Sequence, residues 1–221
     1  TVAEARELGA GETVTIEAIA TTNTGLWGYD TFYMQDETAG MLVFNSLQSV
    51  KPGDKVKITG ELLTYNNELE IKPTKQEIVS SGNELPAAQV VTEVGESTQG
   101  EFLKLENVTI TDMTKDSYGT ATFQAVFEDG NSVTVIHDNR TGSTYDDLIK
   151  QYKEGDKVHL TGVGSVNSAG FHLKTTGLDS YDLVNKPAVY VTQPEGVVEA
   201  GTKIELKSGT EGAEIYYTTD G

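Results

Sequence analysis

Residues 51–60 read KPGDKVKITG and residues 153–162 read KEGDKVHLTG, seven identities in ten at an offset of 102. The register runs on without a gap, so that Leu69-Glu70-Ile71-Lys72 aligns with Phe171-His172-Leu173-Lys174. Upstream, GETVTIEAI (11–19) matches GEFLKLENV (100–108) at an offset of 89. The two offsets differ by 13, so the second copy carries 13 extra residues ahead of its GDKV segment. A block recurring in one register, with periodicity on both sides, marks an internal duplication. It divides the chain into domains over residues 1–82 and 83–184, followed by a segment over 187–221 of different character.

Within each copy the apolar residues recur with period two, the mark of strands with one buried face. Val14, Ile16 and Ile19 lie along a first strand, and Phe32 and Met34 precede a turn over residues 36–40. Leu42 and Phe44 follow that turn, Val56, Ile58 and Leu62 make a fourth strand, and Leu69 and Ile71 a fifth. The second copy repeats the pattern with Leu103, Leu105, Val108 and Ile110, then Phe123 and Val126, a turn over 128–131, and Val133 and Val135. Val158, Leu160 and Val163 come next, then Phe171 and Leu173. Five strands in about 90 residues, with hairpin turn residues between the second and third, make a small barrel. The extra residues of the second copy include TYDDLIKQY (144–152), where Thr144 caps and two aspartates occupy the first turn. The pattern predicts a short helix over 144–152, the element that a five-stranded OB barrel inserts between its third and fourth strands. The first copy keeps only NSLQSV (45–50) there.

Composition excludes several function classes. The 221 residues contain 34 acidic and 16 basic side chains, a formal charge of −18, and no cysteine. Disulfides, thiolate zinc sites, cysteine nucleophiles and iron–sulfur clusters are therefore ruled out. No stretch approaches the ~20 apolar residues of a membrane span, and TVAEARELGAGE at the N-terminus lacks a signal peptide's apolar region. Acidic residues outnumber basic ones in both copies, twelve to six over 1–82 and sixteen to seven over 83–184. Net repulsion of phosphate has to be overcome locally if nucleic acid is to bind.

The segments VAEAREL, TVTIEAIATT, TFYMQDETAGMLVF and PGDKVKITGEL resemble the tandem OB-fold domains of secreted bacterial proteins. In those proteins such domains accompany nuclease and metallophosphatase (5′-nucleotidase-like) catalytic domains. The tail segments AGTKIELKS and GAEIYYTTDG are similar to the Ig-like module at the C-terminus of chitobiases. In the tail, Pro187, Pro194, Gly201 and Gly209 punctuate short strands at Val197–Val198, Ile204–Leu206 and Ile215–Tyr217. Only the first half of the module is present, and it stops at the turn signal Asp220-Gly221. The expected fold class is all-β: two OB-fold barrels plus a partial Ig-like β-sandwich. The resemblance implies an extracellular or surface-attached multidomain parent of Gram-positive type. It carries no catalytic set onto this chain.

The residues themselves offer no catalytic constellation. His137, His159 and His172 lack metal-ligand spacing, and His159 and His172 fall on the polar side of the alternation, as solvated strand residues do. The motifs GxSxG and Walker A are absent. Asp36-Glu37 and Glu128-Asp129 sit at corresponding hairpins, where Asp favours turns. They are also the candidates for a weak calcium site of hard oxygen ligands. Trp27, Tyr29, Tyr33 and Tyr65 in the first copy and Tyr118 in the second are the candidate binding residues, since ring faces stack on bases and on sugars alike. The same rings could instead close the barrel mouth or pack between domains. Tyr33 is out of phase with Phe32 and points away from the core.

Two functions follow as expectations. The first is a non-catalytic accessory module that contacts single-stranded nucleic acid or glycan weakly. The second is a structural surface protein that assembles through strand edges, the C-terminal edge above all.

Overall fold

The structure is a computed structural model that describes residues 1–184, 189–191, 201–208 and 215–216. The chain forms two compact units, Thr1–Asp182 and Leu183–Gly221, and the first holds both sequence copies.

In copy one, β1 (Thr13–Ala20), β2 (Phe32–Gln35), β3 (Gly40–Val43), β4 (Lys55–Tyr65) and β5 (Glu68–Ser80) close into a barrel of order β1-β2-β3-β5-β4. Only the β3–β5 pairing is parallel. This is the five-stranded Greek-key OB barrel. Its interior holds Ile16, Ala18, Ala20, Phe32, Met34, Val56, Ile58, Leu62 and Ile71. Three residues depart from the alternation expected of them. Met41 and Val43 enter the core in place of Leu42 and Phe44, and Ile19 is only half-buried on the outer side. A helix that the sequence pattern did not announce, α1 (Val2–Leu8), adds Val2 and Ala5 to this core. It starts at a capping box between Thr1 and Glu4, which satisfies free N–H groups of its first turn.

Copy two repeats the barrel. Strands β7 (Phe102–Lys115), β8 (Ala121–Val126), β9 (Ser132–His137), β10 (Lys157–Asn167) and β11 (Gly170–Lys174) follow the order β7-β8-β9-β11-β10, closed by β10 on β7. Val56 and Val158 are both fully buried, as are Ile58 and Leu160, while Lys57 is exposed and His159 half-exposed. Leu105 and Val108 both point inward because Asn107 takes a left-handed φ of 56° at an irregularity in the β7–β10 ladder. One extra residue there switches the phase of the strand. Where β5 is one strand of 13 residues, copy two splits the equivalent into β11 and β12 (Tyr181–Leu183) around a turn of 3-10 helix. The expected helix over 144–152 is shorter, α2 (Tyr145–Leu148), with Thr144 and Asp147 forming its capping box. Phe171, expected inside, is 37% exposed.

The two barrels are pressed together. A short strand β6 (Gln89–Val90) runs parallel to β7, and the segment after it carries Gly100 against Gly40 of β3. A Cβ on Gly40 would lie 2.1 Å from the Gly100 carbonyl. Gln35 of barrel one accepts from the Phe102 backbone N–H at 2.8 Å. Arg6 of α1 donates to the Gly40 carbonyl and to the side chains of Glu96 and Gln99. An apolar seam completes the joint: Leu26, Trp27, Tyr33 and Leu42 of barrel one pack on Val163 of β10.

In the second unit, β13 (Val189–Val191) pairs antiparallel with β14 (Leu206–Ser208). The expected strand at Ile204–Leu206 is thus displaced toward the C-terminus, and Ile215 and Tyr216 are not in a strand. The expected features at Pro187, Pro194, Val197–Val198, Gly209, Tyr217 and Asp220-Gly221 lie outside the described residues. Among the described residues no helix is long and apolar enough to cross a membrane.

Candidate functional site

A cleft of about 310 Å³ opens where the barrels meet. Four of the five candidate rings line it: Trp27, Tyr29, Tyr33 and Tyr65. The β1–β2 loop brings the first two there. Gly25 and Gly28 adopt left-handed conformations, and Tyr29 and Asp30 follow them with φ of 55° and 49°. The Gly25 N–H donates to the Thr31 carbonyl and the Thr31 hydroxyl to the Gly28 carbonyl, which tightens the loop. Left-handed backbone at a bulky residue such as Tyr29 stores strain and is a common mark of a functional loop. The ring of Tyr29 ends up 78% exposed at the rim. On the other side the β4–β5 hairpin turns on Asn66 and Asn67, both with positive φ, as a two-residue hairpin requires. That turn leaves Tyr65, the last residue of β4, 68% exposed.

Trp27 and Tyr33 form the floor and are buried. Their rings meet edge to face with centroids 5.5 Å apart. These two therefore pack between the barrels, against Val163 and each other. Tyr33 does point away from its own barrel core, but barrel two covers it. Its hydroxyl donates to Glu68 at 2.8 Å, and Ser165 of β10 donates to the same carboxylate at 3.2 Å. Burial pushes the Glu68 carboxyl up to about 7, against the Tyr33 hydrogen bond and the nearby charge of Lys174, which favour ionisation. Burial also raises Glu70 on the same strand.

Barrel two contributes the cations. The Lys174 ammonium lies 4.5 Å from the centre of the Trp27 ring, within cation–π range. Among the described residues it makes no hydrogen bond or ion pair, and burial lowers its pKa. Arg140 forms a bidentate pair with Asp138 through Nε and Nη2. Its Nη1 packs beside Gly28 at a place where a Cβ would sit 3.2 Å away. Asn167, at the position equivalent to Tyr65, also borders the cleft. So does His172, equivalent to Glu70. The expectation that His172 is a solvated strand residue fails, because its outer face is covered by the first barrel and it is 4% exposed. Burial lowers its pKa, as does the repulsion of Lys174. His137 is buried too, between Thr175 and Ser143.

The remaining candidates lie elsewhere. Tyr118 is 79% exposed, on a turn held by Asp116, and does not reach the cleft. Asp36 accepts from the backbone of Val2, Thr38 and Ala39, so its oxygens serve the β2–β3 turn and the start of α1. Asp129 accepts from Asn131 within its own hairpin. Glu37 and Glu128 are exposed beside them. Among the described residues no group of three or more His, Cys, Asp or Glu is placed to hold a metal ion. Sequence reasoning missed Glu68, Asp138, Arg140, Ser165 and Lys174. Their only shared signal is the repeat register, which places Lys174 opposite Lys72.

No protein-family model matches the chain, and no curated protein does. Among solved structures it is similar to the Ifi202 HINa domain in complex with 20bp dsDNA, at 14% identity and a TM-score of 0.36, over 74% of this chain and 94% of that one. The p204 HINb domain aligns at 14% identity and a TM-score of 0.34, over 76% of this chain and 93% of that one. The single-stranded DNA binding protein from Thermus aquaticus aligns at 13% identity and a TM-score of 0.26, over 87% and 98%. Likenesses this weak assign no function to the chain, so what it does has to be derived from the cleft.

Proposed function

We propose that the chain is a non-catalytic binding module that takes a single-stranded nucleic acid across the inter-barrel cleft. The observation that carries this reading is the convergence of four features at one cleft in a chain of charge −18. Exposed Tyr29 and Tyr65 line it together with Lys174 and Arg140. Bases stack on the two rim tyrosines while the backbone passes the two cations. The loops that present the tyrosines, β1–β2 and β4–β5, are those by which OB barrels take oligonucleotides and oligosaccharides. The resemblance of the repeats and tail to modules of secreted bacterial hydrolases supports an extracellular, accessory setting.

A second reading, an uncharged oligosaccharide, is favoured by one specific observation. Glu68, Glu70, Asp138, Asn66 and Asn167 line the same cleft, a set suited to sugar hydroxyls and unfriendly to phosphate. Fluorescence anisotropy of labelled oligothymidylate, with competition by neutral oligosaccharides, separates the two. Saturable binding that Tyr29→Ala and Tyr65→Ala weaken supports the first reading. No binding at micromolar protein in low salt ends it.

A further inference from the structure

We propose that Glu68 is a proton switch in the floor of the cleft: protonated, it leaves Lys174 open as a seat for an anionic group of the ligand, and ionised, it closes that seat. The proposal deepens the binding reading above and rests on it only for the identity of the anion.

The geometry carries it. Glu68 is held in place by hydroxyls of both barrels, Tyr33 and Ser165, and by no cation within hydrogen-bond reach among the described residues. A carboxylate so placed keeps its two hydrogen bonds in either protonation state, since the neutral acid can donate to Ser165 and still accept from Tyr33. Its charge can therefore change without rebuilding the junction. Lys174 faces the same cavity, its ammonium resting on the Trp27 ring with its donors unspent. An incoming anion and the ionised Glu68 compete for this one cation. Anion binding and proton uptake are thus linked, and each favours the other.

The other charged and titratable groups around Glu68 do not substitute for it. Burial raises Glu70 on the same strand too, but among the described residues it takes no side-chain hydrogen bond from the second barrel, and Asp138 is already committed to Arg140. His172, on β11 of barrel two, has its pKa lowered by burial and by the charge of Lys174, and its Nδ1 is engaged with the Gly170 carbonyl. The Tyr33 phenol is pushed further up by burial and by Glu68 itself. The phenols of Tyr29 and Tyr65 stand at the rim. Burial brings the Glu68 carboxyl itself to about 7.

The chain contains one tryptophan, and it is Trp27. Its emission therefore reports on the site directly, without any ligand. The test is a titration of Trp27 fluorescence from pH 5.5 to 8.5, in chloride and in sulfate at equal ionic strength. Sulfate is the probe because its charge is constant over that range. In the unmodified protein a transition centred near 7 is expected, displaced to higher pH by sulfate. Glu68→Gln keeps the hydrogen-bond acceptor and should abolish the transition. Lys174→Met should keep it, move it upward because a neighbouring positive charge is lost, and remove its sensitivity to sulfate.

Binding of oligothymidylate, if it uses the same seat, should weaken about tenfold between pH 6 and pH 8 in the unmodified protein and stay level in Glu68→Gln. A flat titration, or one that survives Glu68→Gln, overturns the switch. A transition indifferent to sulfate overturns the anion seat. Oligothymidylate that fails to bind while the sulfate-sensitive transition stands refutes the strand as ligand and leaves the switch in place.

Discussion

Tyr33 donates its phenolic hydrogen to Glu68 at 2.8 Å on the outer surface of the first barrel, and Ser165 of the second barrel closes over the pair. A carboxylate in that position is an external group by the strand's alternation and an internal one by its surroundings. The junction between the barrels therefore has a built-in dependence on pH.

The sign follows from the direction of the shift. The carboxyl of Glu68 is raised from 4.5 to about 7, so the folded chain holds a proton that the unfolded chain releases. This contribution is complete below pH 4.5 and is lost as the pH rises through 7. It amounts to on the order of 3 kcal/mol. Urea unfolding at pH 5 and pH 8 should show Glu68→Gln gaining stability relative to the unmodified chain as the pH rises. Burial raises Glu70 and Glu101 in the same sense, so both proteins will lose some stability over that range. A stability difference that does not change with pH would contradict the assignment.

The contact of Gly40 with Gly100 gives a second prediction. A methyl group on Gly40 cannot be accommodated against backbone atoms 2.1 Å away, so Gly40→Ala must part the barrels locally. A loss of about 1–3 kcal/mol is expected. Gly95→Ala, where nothing lies within 4 Å of the added carbon, should leave the unfolding midpoint almost unchanged. Thermal denaturation of the two variants side by side checks this.

Asp36 ties α1 to the β2–β3 turn by accepting from Val2, Thr38 and Ala39. Removing those acceptors with Asp36→Ala should cost about 1–2 kcal/mol, the usual worth of a helix-capping side chain. Amide exchange should quicken at Val2 and Ala39 before it does in β4. Equal protection of α1 in both proteins would show that the carboxylate does not hold the helix.

Ligand binding should follow the cleft and not the list of exposed aromatics. Tyr29→Ala and Tyr65→Ala should each cost about 1–3 kcal/mol of affinity for oligothymidylate. Tyr118→Ala, equally exposed, should cost nothing. With two cations in the cleft, the plot of log K against log salt should fall with a slope of roughly −1.4. A much steeper slope would mean that the strand runs over other basic residues.

The parts legible in the sequence are those governed by one interface with water. The GDKV repeat fixed two barrels because period-two burial of Val56, Ile58, Val158 and Leu160 is a property of each barrel alone. Where a strand is covered on both faces, alternation carries no sign. Leu42 and Phe44 read as core residues because they are apolar, yet they serve the joint and the cleft, and Met41 and Val43 face inward. His172 reads as solvated because it is polar, and the first barrel buries it, just as the second barrel buries Glu68, which no sequence pattern singled out. Trp27, Tyr29 and Tyr65 could be picked out because rings beside glycine and asparagine turns are unusual in any strand pattern. Lys174 and Arg140 could not, since only the meeting of two distant segments makes them neighbours. The helix α1 went unseen because its seven residues offer too few turns for a period to show.

The apolar outer face that Tyr33 and Leu42 lend to the first barrel has no counterpart on the second. Val43 pairs with Phe32 and Ile71, and Val135 pairs with Phe123 and Leu173. Ile71 and Leu173 are equivalent in the repeat, so Tyr33 corresponds to Gln124 and Leu42 to Thr134. Those two satisfy one another, Gln124 donating to Thr134 at 3.2 Å. The two copies have thus diverged at matching outward positions: on one barrel a phenol and an isobutyl group are spent on the partner, and on the other an amide and a hydroxyl are spent on each other.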